Sequence, residues 1–320
     1  MWWLKPLLAL GWNWDPWILA SLALSLACYL SGLARIPRTV RAKLFGAPRC
    51  LSFVAGIAAL FLVLISPLDG LDDELFSAHM AQHMVLMMVA PPLLVFGRPA
   101  LACLWAFPLP VRRWIGRMWV KTGWRHFLLQ LAPPAVVWLL CSLALWFWHL
   151  PAPFAWSLAS EPVHALEHIC FFTTSLLFWS LVLEPLSKRR LDYGMTIIFV
   201  VTIGIQMGLL GALLTFAAHP IYPAYSHTTQ SWGLTPLEDQ QLGGLSMWIP
   251  ASLIHLTTLA VLFVAWMNEH TWRRDSCLQR RDSSRRPATH SPSSSPPPYN
   301  PSPAMKAPVS STSDSFPTPS

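Results

Sequence analysis

Long apolar runs separated by polar loops fill the chain up to about residue 270. Each run carries few or no charged residues and is close to the roughly 20 residues that a helix needs to cross a bilayer. The runs are continuous, whereas the strands of a membrane barrel alternate in hydrophobicity. We therefore predict an all-α polytopic membrane bundle with seven transmembrane helices. They are expected at about 17–34, 51–66, 76–96, 134–149, 164–183, 194–216 and 244–266.

The charge of the loops alternates along the chain. Three loops are rich in arginine and lysine: 35–50, 97–133 and 184–193. The three loops that alternate with them contain no basic residue: 67–75, 150–163 and 217–243. Because basic loops stay in the cytoplasm, the alternation predicts an outer N-terminus and a cytoplasmic C-terminus. The long basic loop at 97–133 also predicts an amphipathic helix at the membrane surface.

Composition supports a membrane domain followed by a tail. The chain is 54% hydrophobic and 12% charged, against roughly 25% charged residues in soluble domains. We predict a seven-helix membrane domain over 1–274. Residues 275–320 are rich in proline, serine and arginine and predict a disordered cytoplasmic tail. The net charge of +7 lies in alternate loops without an aromatic–basic motif, so we expect the lipid bilayer and no nucleic acid as a partner.

Two histidine pairs repeat one spacing. His79 and His83 lie four residues apart at the start of the third predicted span, and His164 and His168 do so at the start of the fifth. Residues four apart lie on one helix face, about 6 Å from each other. The topology puts both pairs at the same depth on the outer side. Ionisable groups inside membranes are costly and usually functional, so a shared metal site is one hypothesis, and structural hydrogen bonding is the alternative.

Methionines next to the first pair bear on the choice of metal. Met80 and Met84 each follow one of its histidines. Imidazole suits copper, zinc and iron, whereas a thioether selects copper(I). The combination favours copper as the cofactor, with His79, His83, His164, His168, Met80 and Met84 as candidate ligands. Ordinary packing explains the methionines equally well, because methionine fills irregular cores.

Further polar residues are expected at the same outer level. Glu167 is a candidate to orient a ligand histidine or is a carboxylate of the membrane edge. The other supporting candidates are His149, His219, Asp239, Gln240 and Gln241. His255 lies half-way through the seventh predicted span. It is either a proton relay or a neutral histidine that hydrogen-bonds to a neighbouring helix.

The chain has no phosphate-binding loop, HExxH, GxSxG or dinucleotide motif, so we do not expect an enzyme.

Several segments resemble the CtaG family of caa(3)-type cytochrome c oxidase assembly factors. They are SAHMAQHMVLMMVAPPLLVFGRP at 77–99, HALEHICFFTTSLLFW at 164–179, DQQLGGLSMWIP at 239–250 and NWDPW at 13–17. The resemblance covers about 13–270 and implies His79, His83, His164, His168, Asp239, Gln240 and Gln241 as site positions. The Pro/Ser-rich tail and His255 depart from the family's pattern.

The resemblance implies a role in building a haem-copper oxidase, at the step of copper delivery. On this reading the chain is a multi-pass protein of the bacterial inner membrane whose partners are cytochrome c oxidase subunits. Three alternatives remain open. In the first, the paired histidines hold haem b between facing helices. In the second, the chain is a copper transporter. In the third, it is a structural scaffold for oxidase subunits.

Overall fold

A computed structural model describes residues 11–121, 133–183 and 192–285, and its described residues are helical with no strand. The all-α prediction is confirmed. By its contacts the chain divides into a first unit, Met1–Glu269, and a second, His270–Ser320. The first unit contains the membrane helices. The last helix continues to Arg285, past the predicted start of the tail at 275; the rest of the predicted tail lies outside the described residues.

The helices are numbered here in chain order. The first half contains α1 (Pro16–Arg35), α2 (Arg38–Leu44), α3 (Ala47–Leu64), α4 (Asp69–Asp72), α5 (Phe76–Met84), a π-helical turn (Val85–Val89), α6 (Ala90–Phe96), α7 (Pro99–Ala106) and α8 (Leu109–Lys121). The second half contains α9 (Pro134–Trp148), α10 (Pro151–Ala159), α11 (Glu161–Leu183), α12 (Tyr193–Thr215) and α13 (Pro236–Arg285), with short 3₁₀ turns at Pro223–Tyr225 and Thr229–Trp232.

Among the described residues, six helical segments are long and apolar enough to cross a membrane, so the chain is a multi-pass membrane protein. The fourth predicted span is the exception, because α9 and α10 meet at a bend of 76° and reach the length of a crossing only as a pair. Pro151 begins α10, where proline suits the first turn of a new helix. The predicted seven crossings require this bent pair to count as one, and their orientation stays a prediction. The basic loop contains α8, as expected for a surface helix.

The third span, α5 to α6, is the most buried of the candidate spans. It packs against α3 on one side and α11 on the other. Pro91 and Pro92 remove two backbone donors, and the preceding turn widens into a π-helix, a common accommodation of such a break. The carbonyl of Met87, four residues before Pro91, accepts instead from the Trp179 indole N–H at 3.0 Å. The break at the prolines is thus buried, and a neighbouring helix satisfies the Met87 carbonyl.

Two glycines bring α12 and α13 together. A Cβ added at Gly211 would lie 3.0 Å from the carbonyl oxygen of Gly244 and 2.8 Å from Trp248 Cβ. A Cβ at Gly244 would lie 2.7 Å from the backbone nitrogen of Thr215. Such small residues let membrane helices approach closely. The contact places the start of α13 beside the end of the bundle where the histidine pairs lie.

Candidate metal centre

The two histidine pairs come together between α5 and α11. The rings of His79 and His164 are stacked with centroids 5.1 Å apart, and those of His83 and His168 lie 5.4 Å apart. Within each helix the paired rings are 4.3 Å and 4.2 Å apart. The four-residue spacing points each pair along one helix face, and the packing of α5 on α11 turns the two faces towards each other.

Glu167 joins the histidines as a direct candidate ligand. One ligand atom from each of His79, His83, His164 and Glu167 lies within 4.8 Å of the other three. Ligands of a small metal ion stand about 2.0–2.2 Å from it, so two of them are at most about 4.4 Å apart. The four groups therefore need only small side-chain movements to surround one ion. The sequence suggested that Glu167 orients a ligand histidine or is a carboxylate of the membrane edge, whereas its Oε1 lies 3.6 Å from His83 Nε2 within this group.

His149 and Asp72 complete the cluster. His149 follows α9, and its ring lies 6.2 Å from that of His83. Its Nδ1 lies 2.7 Å from the Leu145 carbonyl oxygen, so Nδ1 carries the proton and Nε2 keeps a free lone pair. Asp72 ends α4, and its Oδ2 lies 3.9 Å from His79 Nδ1 and 3.6 Å from His164 Nε2.

Asp72 was not among the site residues predicted from the sequence. The sequence feature that could have identified Asp72 as a site residue is its position seven residues before His79. Burial, with a smaller contribution from the Asp69 and Asp73 carboxylates, raises the pKa of the Asp72 carboxyl to about 8. A cation beside the carboxylate would have the opposite effect, because opposite charge favours the ionised form. Asp72 is thus a carboxylate placed where a metal ion would stabilise its charge.

The polar atoms of the cluster are buried without partners. Within the described part of the chain, no hydrogen bond meets either ring nitrogen of His79 or His83, Nε2 of His149, His164 or His168, or the oxygens of Glu167 and Oδ2 of Asp72. Ser157 lies near Glu167, but its hydroxyl donates to the Phe154 carbonyl. Burying polar groups unpaired costs several kcal/mol in total. A buried group of unpaired ligand atoms such as this one is expected of a metal site.

The methionines lie beside the cluster rather than within the group just described. Met80 and Met84 are both buried. Consecutive residues of a helix point about 100° apart, so each methionine leaves the face that its histidine neighbour occupies. Met80 packs towards α13, where a Cβ at Gly243 would lie 3.3 Å from its Cγ. The sequence allowed the methionines to be copper ligands or packing residues, and packing accounts for Met80.

Asp239 and Gln240 lie outside the group of candidate ligands and make hydrogen bonds to the backbone of neighbouring segments. Asp239 accepts from the backbone N–H of Phe76 at 2.7 Å and that of Ser77 at 3.1 Å, at the start of α5. Gln240 accepts from the Ile221 N–H at 2.6 Å and donates to the Leu214 carbonyl at 3.3 Å. Gln241 is half-buried, and no hydrogen bond of its side chain occurs among the described residues. His219 is exposed in the loop after α12, unlike the buried cluster.

Further hydrogen bonds connect the loops after α3 and α12 to the cluster. The Gln82 amide donates to the Val63 carbonyl and to Asp69, each at 3.0 Å. The Tyr225 hydroxyl donates to the Asp72 carbonyl at 2.9 Å. The Tyr222 hydroxyl donates to the His149 carbonyl at 2.7 Å. These contacts place Asp72 and His149 against the histidines of α5.

His255 lies apart from this cluster. It is buried in α13 against Phe178 and the backbone of Gly204. Its Nδ1 lies 2.7 Å from the Ala251 carbonyl oxygen four residues earlier. This hydrogen bond within its own helix supports the structural reading of His255 rather than the relay, although the partner is its own backbone and not a neighbouring helix.

Fold and site together describe a multi-pass helical membrane protein with a buried cluster of histidines and carboxylates near one end of its bundle. The sequence model of the family described as cytochrome c oxidase caa3 assembly factor (Caa3_CtaG) matches residues 27–269, and the chain belongs to this family. The resemblance seen in the sequence motifs is confirmed.

Similar curated proteins occur in mycobacteria. The uncharacterized proteins Mb0105 of Mycobacterium bovis and MT0111 of Mycobacterium tuberculosis are each 26% identical over 277 residues. The uncharacterized protein ML1998 of Mycobacterium leprae is 24% identical over the same length. The alignments cover 81% of this chain and 40% of each relative, so the chain spans about two-fifths of their length. No solved structure matches the chain.

Proposed function

We propose that this chain is a non-catalytic assembly factor of the bacterial inner membrane that holds copper for a caa3-type cytochrome c oxidase. The observation that carries the proposal is the convergence of His79, His83, His164 and Glu167 in one buried group. The client, a caa3-type cytochrome c oxidase, is inferred from membership of the assembly factor family. Its subunits are the proposed partners, and the outer side of the membrane is the proposed location of the metal.

The donor set supports copper over most alternatives. Magnesium and calcium prefer shells of oxygen ligands, whereas this group is rich in imidazole. Among divalent first-row metals, copper binds nitrogen and oxygen sites most tightly. With Met80 packed towards α13, the argument for copper rests on the imidazoles and the client rather than on thioether ligands. Zinc is the principal competitor, since it accepts the same ligands.

The geometry favours an ion over haem b. A haem would have to insert its flat ring between two axial imidazoles. The rings of His79 and His164 are already stacked 5.1 Å apart, and Phe154 lies 5.1 Å from His79. Packing this close disfavours a macrocycle in the cluster.

A transporter is also less well supported. Among the residues that the structure describes, a group of three or more His, Cys, Asp or Glu able to hold a metal occurs at this one place. A transport path would require donors that continue across the membrane.

Metal analysis of the detergent-purified chain tests the binding step. The wild type is expected to retain copper after desalting. A quadruple variant, with alanine at His79, His83, His164 and His168, is expected to lose it. His227→Ala is the matched control, because His227 is exposed in the loop after α12. Equal copper in the wild type and the quadruple variant would refute the site.

The client is tested in cells with equal amounts of each variant. With His79→Ala and His83→Ala combined, the oxidase is expected to lack copper and activity while keeping its haem. Glu167→Ala should reduce copper loading as well. Full copper with missing haem would support the haem alternative. Normal copper and normal haem would leave the scaffold function.

A further inference from the structure

The cluster offers more ligands than one copper or zinc ion uses. Seven side chains direct buried, unpartnered atoms into it: Asp72, His79, His83, His149, His164, Glu167 and His168. Protein sites for zinc commonly use four ligands, and copper sites use similarly small sets. The compact group of four described above leaves Asp72, His149 and His168 unused. A surplus of three buried donors has a free-energy cost that a single ion does not relieve.

The seven side chains fall into two levels along the helices. Asp72, His79 and His164 form the outer level, joined by the two distances from Asp72 Oδ2 of 3.9 and 3.6 Å. Within this level His164 is partly exposed, with 21% of its side chain accessible, while Asp72 and His79 are buried. This level lies nearest the N-terminal ends of α5 and α11.

The inner level lies one helical turn further along α5 and α11. It contains His83, His149, Glu167 and His168, with His83 Nε2 3.6 Å from Glu167 Oε1. Going from His79 to His83, or from His164 to His168, advances each helix by about 6 Å. Each helix thus supplies one histidine to each level, and each level has its own carboxylate.

We propose that the cluster holds two metal ions at once, an outer ion on Asp72, His79 and His164 and an inner ion on His83, His149, Glu167 and His168. The inference rests on the proposed metal-binding function and specifies its stoichiometry. A carboxylate at each level compensates part of the charge of each dication.

The test is a titration of the full-length chain in detergent. The protein is stripped with a chelator and loaded with copper(II) alone, then desalted and assayed for copper per chain. The wild type should bind two ions. Asp72→Asn and Glu167→Gln, both of nearly unchanged size, should each bind one, and the double variant should bind none. His227→Ala is the control and should bind two.

Spectroscopy adds a second readout. Two copper(II) ions about one turn apart should broaden or weaken each other's electron paramagnetic resonance signal, and each single variant should show an isolated ion. Size-exclusion profiles and melting temperatures confirm that the variants are folded. One ion per wild-type chain would overturn the two-ion proposal and leave the proposed function standing, whereas no ion would overturn both. Loss of both ions in either folded single variant would refute the division into two levels.

Discussion

Asp239 and Ser77 are joined by two hydrogen bonds between α13 and α5. The backbone N–H and the hydroxyl of Ser77 donate to Asp239 Oδ1 at 3.1 and 2.5 Å, while Oδ2 accepts from the Phe76 N–H. The first turn of α5 has no side-chain cap of its own. Asp239 therefore caps α5 from another helix, and the capped residue Ser77 lies two residues before His79. This relationship connects the DQQ motif to the geometry of the metal cluster.

Asp239→Ala is expected to destabilise the protein and weaken copper binding together. Loss of a cap costs about 0.5–2 kcal/mol, and the buried N–H groups of Phe76 and Ser77 lose their acceptor. Asp239→Asn should be milder, because one oxygen still accepts. Melting temperature and copper affinity of the purified chain measure both effects. Gln241→Ala is the control from the same motif and should change neither. An unchanged melting temperature for Asp239→Ala would contradict the capping role.

The sequence predicted the convergence of the four histidines better than the contacts that position them. Four-residue spacing and loop charge were enough to bring His79, His83, His164 and His168 to one place, because helix faces and topology follow from local patterns. The Asp239 cap joins residues 163 positions apart, and no local pattern encodes such a contact. Asp72 was missed as a site residue for the same reason, since its partner His164 arrives from α11. The sharp bend between α9 and α10 also depends on packing that the apolar run does not reveal.

Gly243→Ala is expected to disturb the cluster by overpacking. A Cβ at this position would lie 2.5 Å from Phe76 Cδ1 and 3.3 Å from Met80 Cγ. Phe76 is itself stacked on Tyr222, with ring centroids 4.8 Å apart, so it has little room to move. Overpacking of this kind typically costs about 1–3 kcal/mol. The predicted result is a lower melting temperature.

Gly208→Ala is the matched control for that substitution. A Cβ at Gly208 meets Trp248 at an ordinary 3.7 Å, and alanine is a better helix former than glycine. The control should therefore melt at the wild-type temperature or slightly above. Equal melting temperatures for the two variants would show that Phe76 moves freely and that the aromatic contacts do not hold α5 in place.

The predicted orientation is tested by reporter fusions. A periplasmic phosphatase fused after Ser160 or Gln230 should be active, because both positions lie in loops without basic residues. A fusion after Ser187, in a basic loop, should be inactive and a fluorescent protein there should fold in the cytoplasm. The Ser160 fusion also decides whether the bent α9–α10 pair makes one crossing. Phosphatase activity after Ser187 would invert the topology and place the histidine cluster on the cytoplasmic side.

His149 and His255 form a matched pair for the last prediction. Each is buried, and each has Nδ1 2.7 Å from the carbonyl oxygen four residues earlier in its own helix. Only His149 has a ring near His83. Replacement by alanine removes the same hydrogen bond and opens a similar space in both cases, so the structural cost should be alike.

Their effects on metal binding should differ. His149→Ala is expected to lower copper affinity by roughly 10-fold or more, since even residues that only orient a ligand cost about 10–100-fold. His255→Ala should leave copper affinity unchanged while lowering the melting temperature by a similar amount. Copper competition titrations with a chelator of known affinity give the comparison. If both variants lose copper equally, the loss reflects general loosening of the bundle, and His149 is not a ligand.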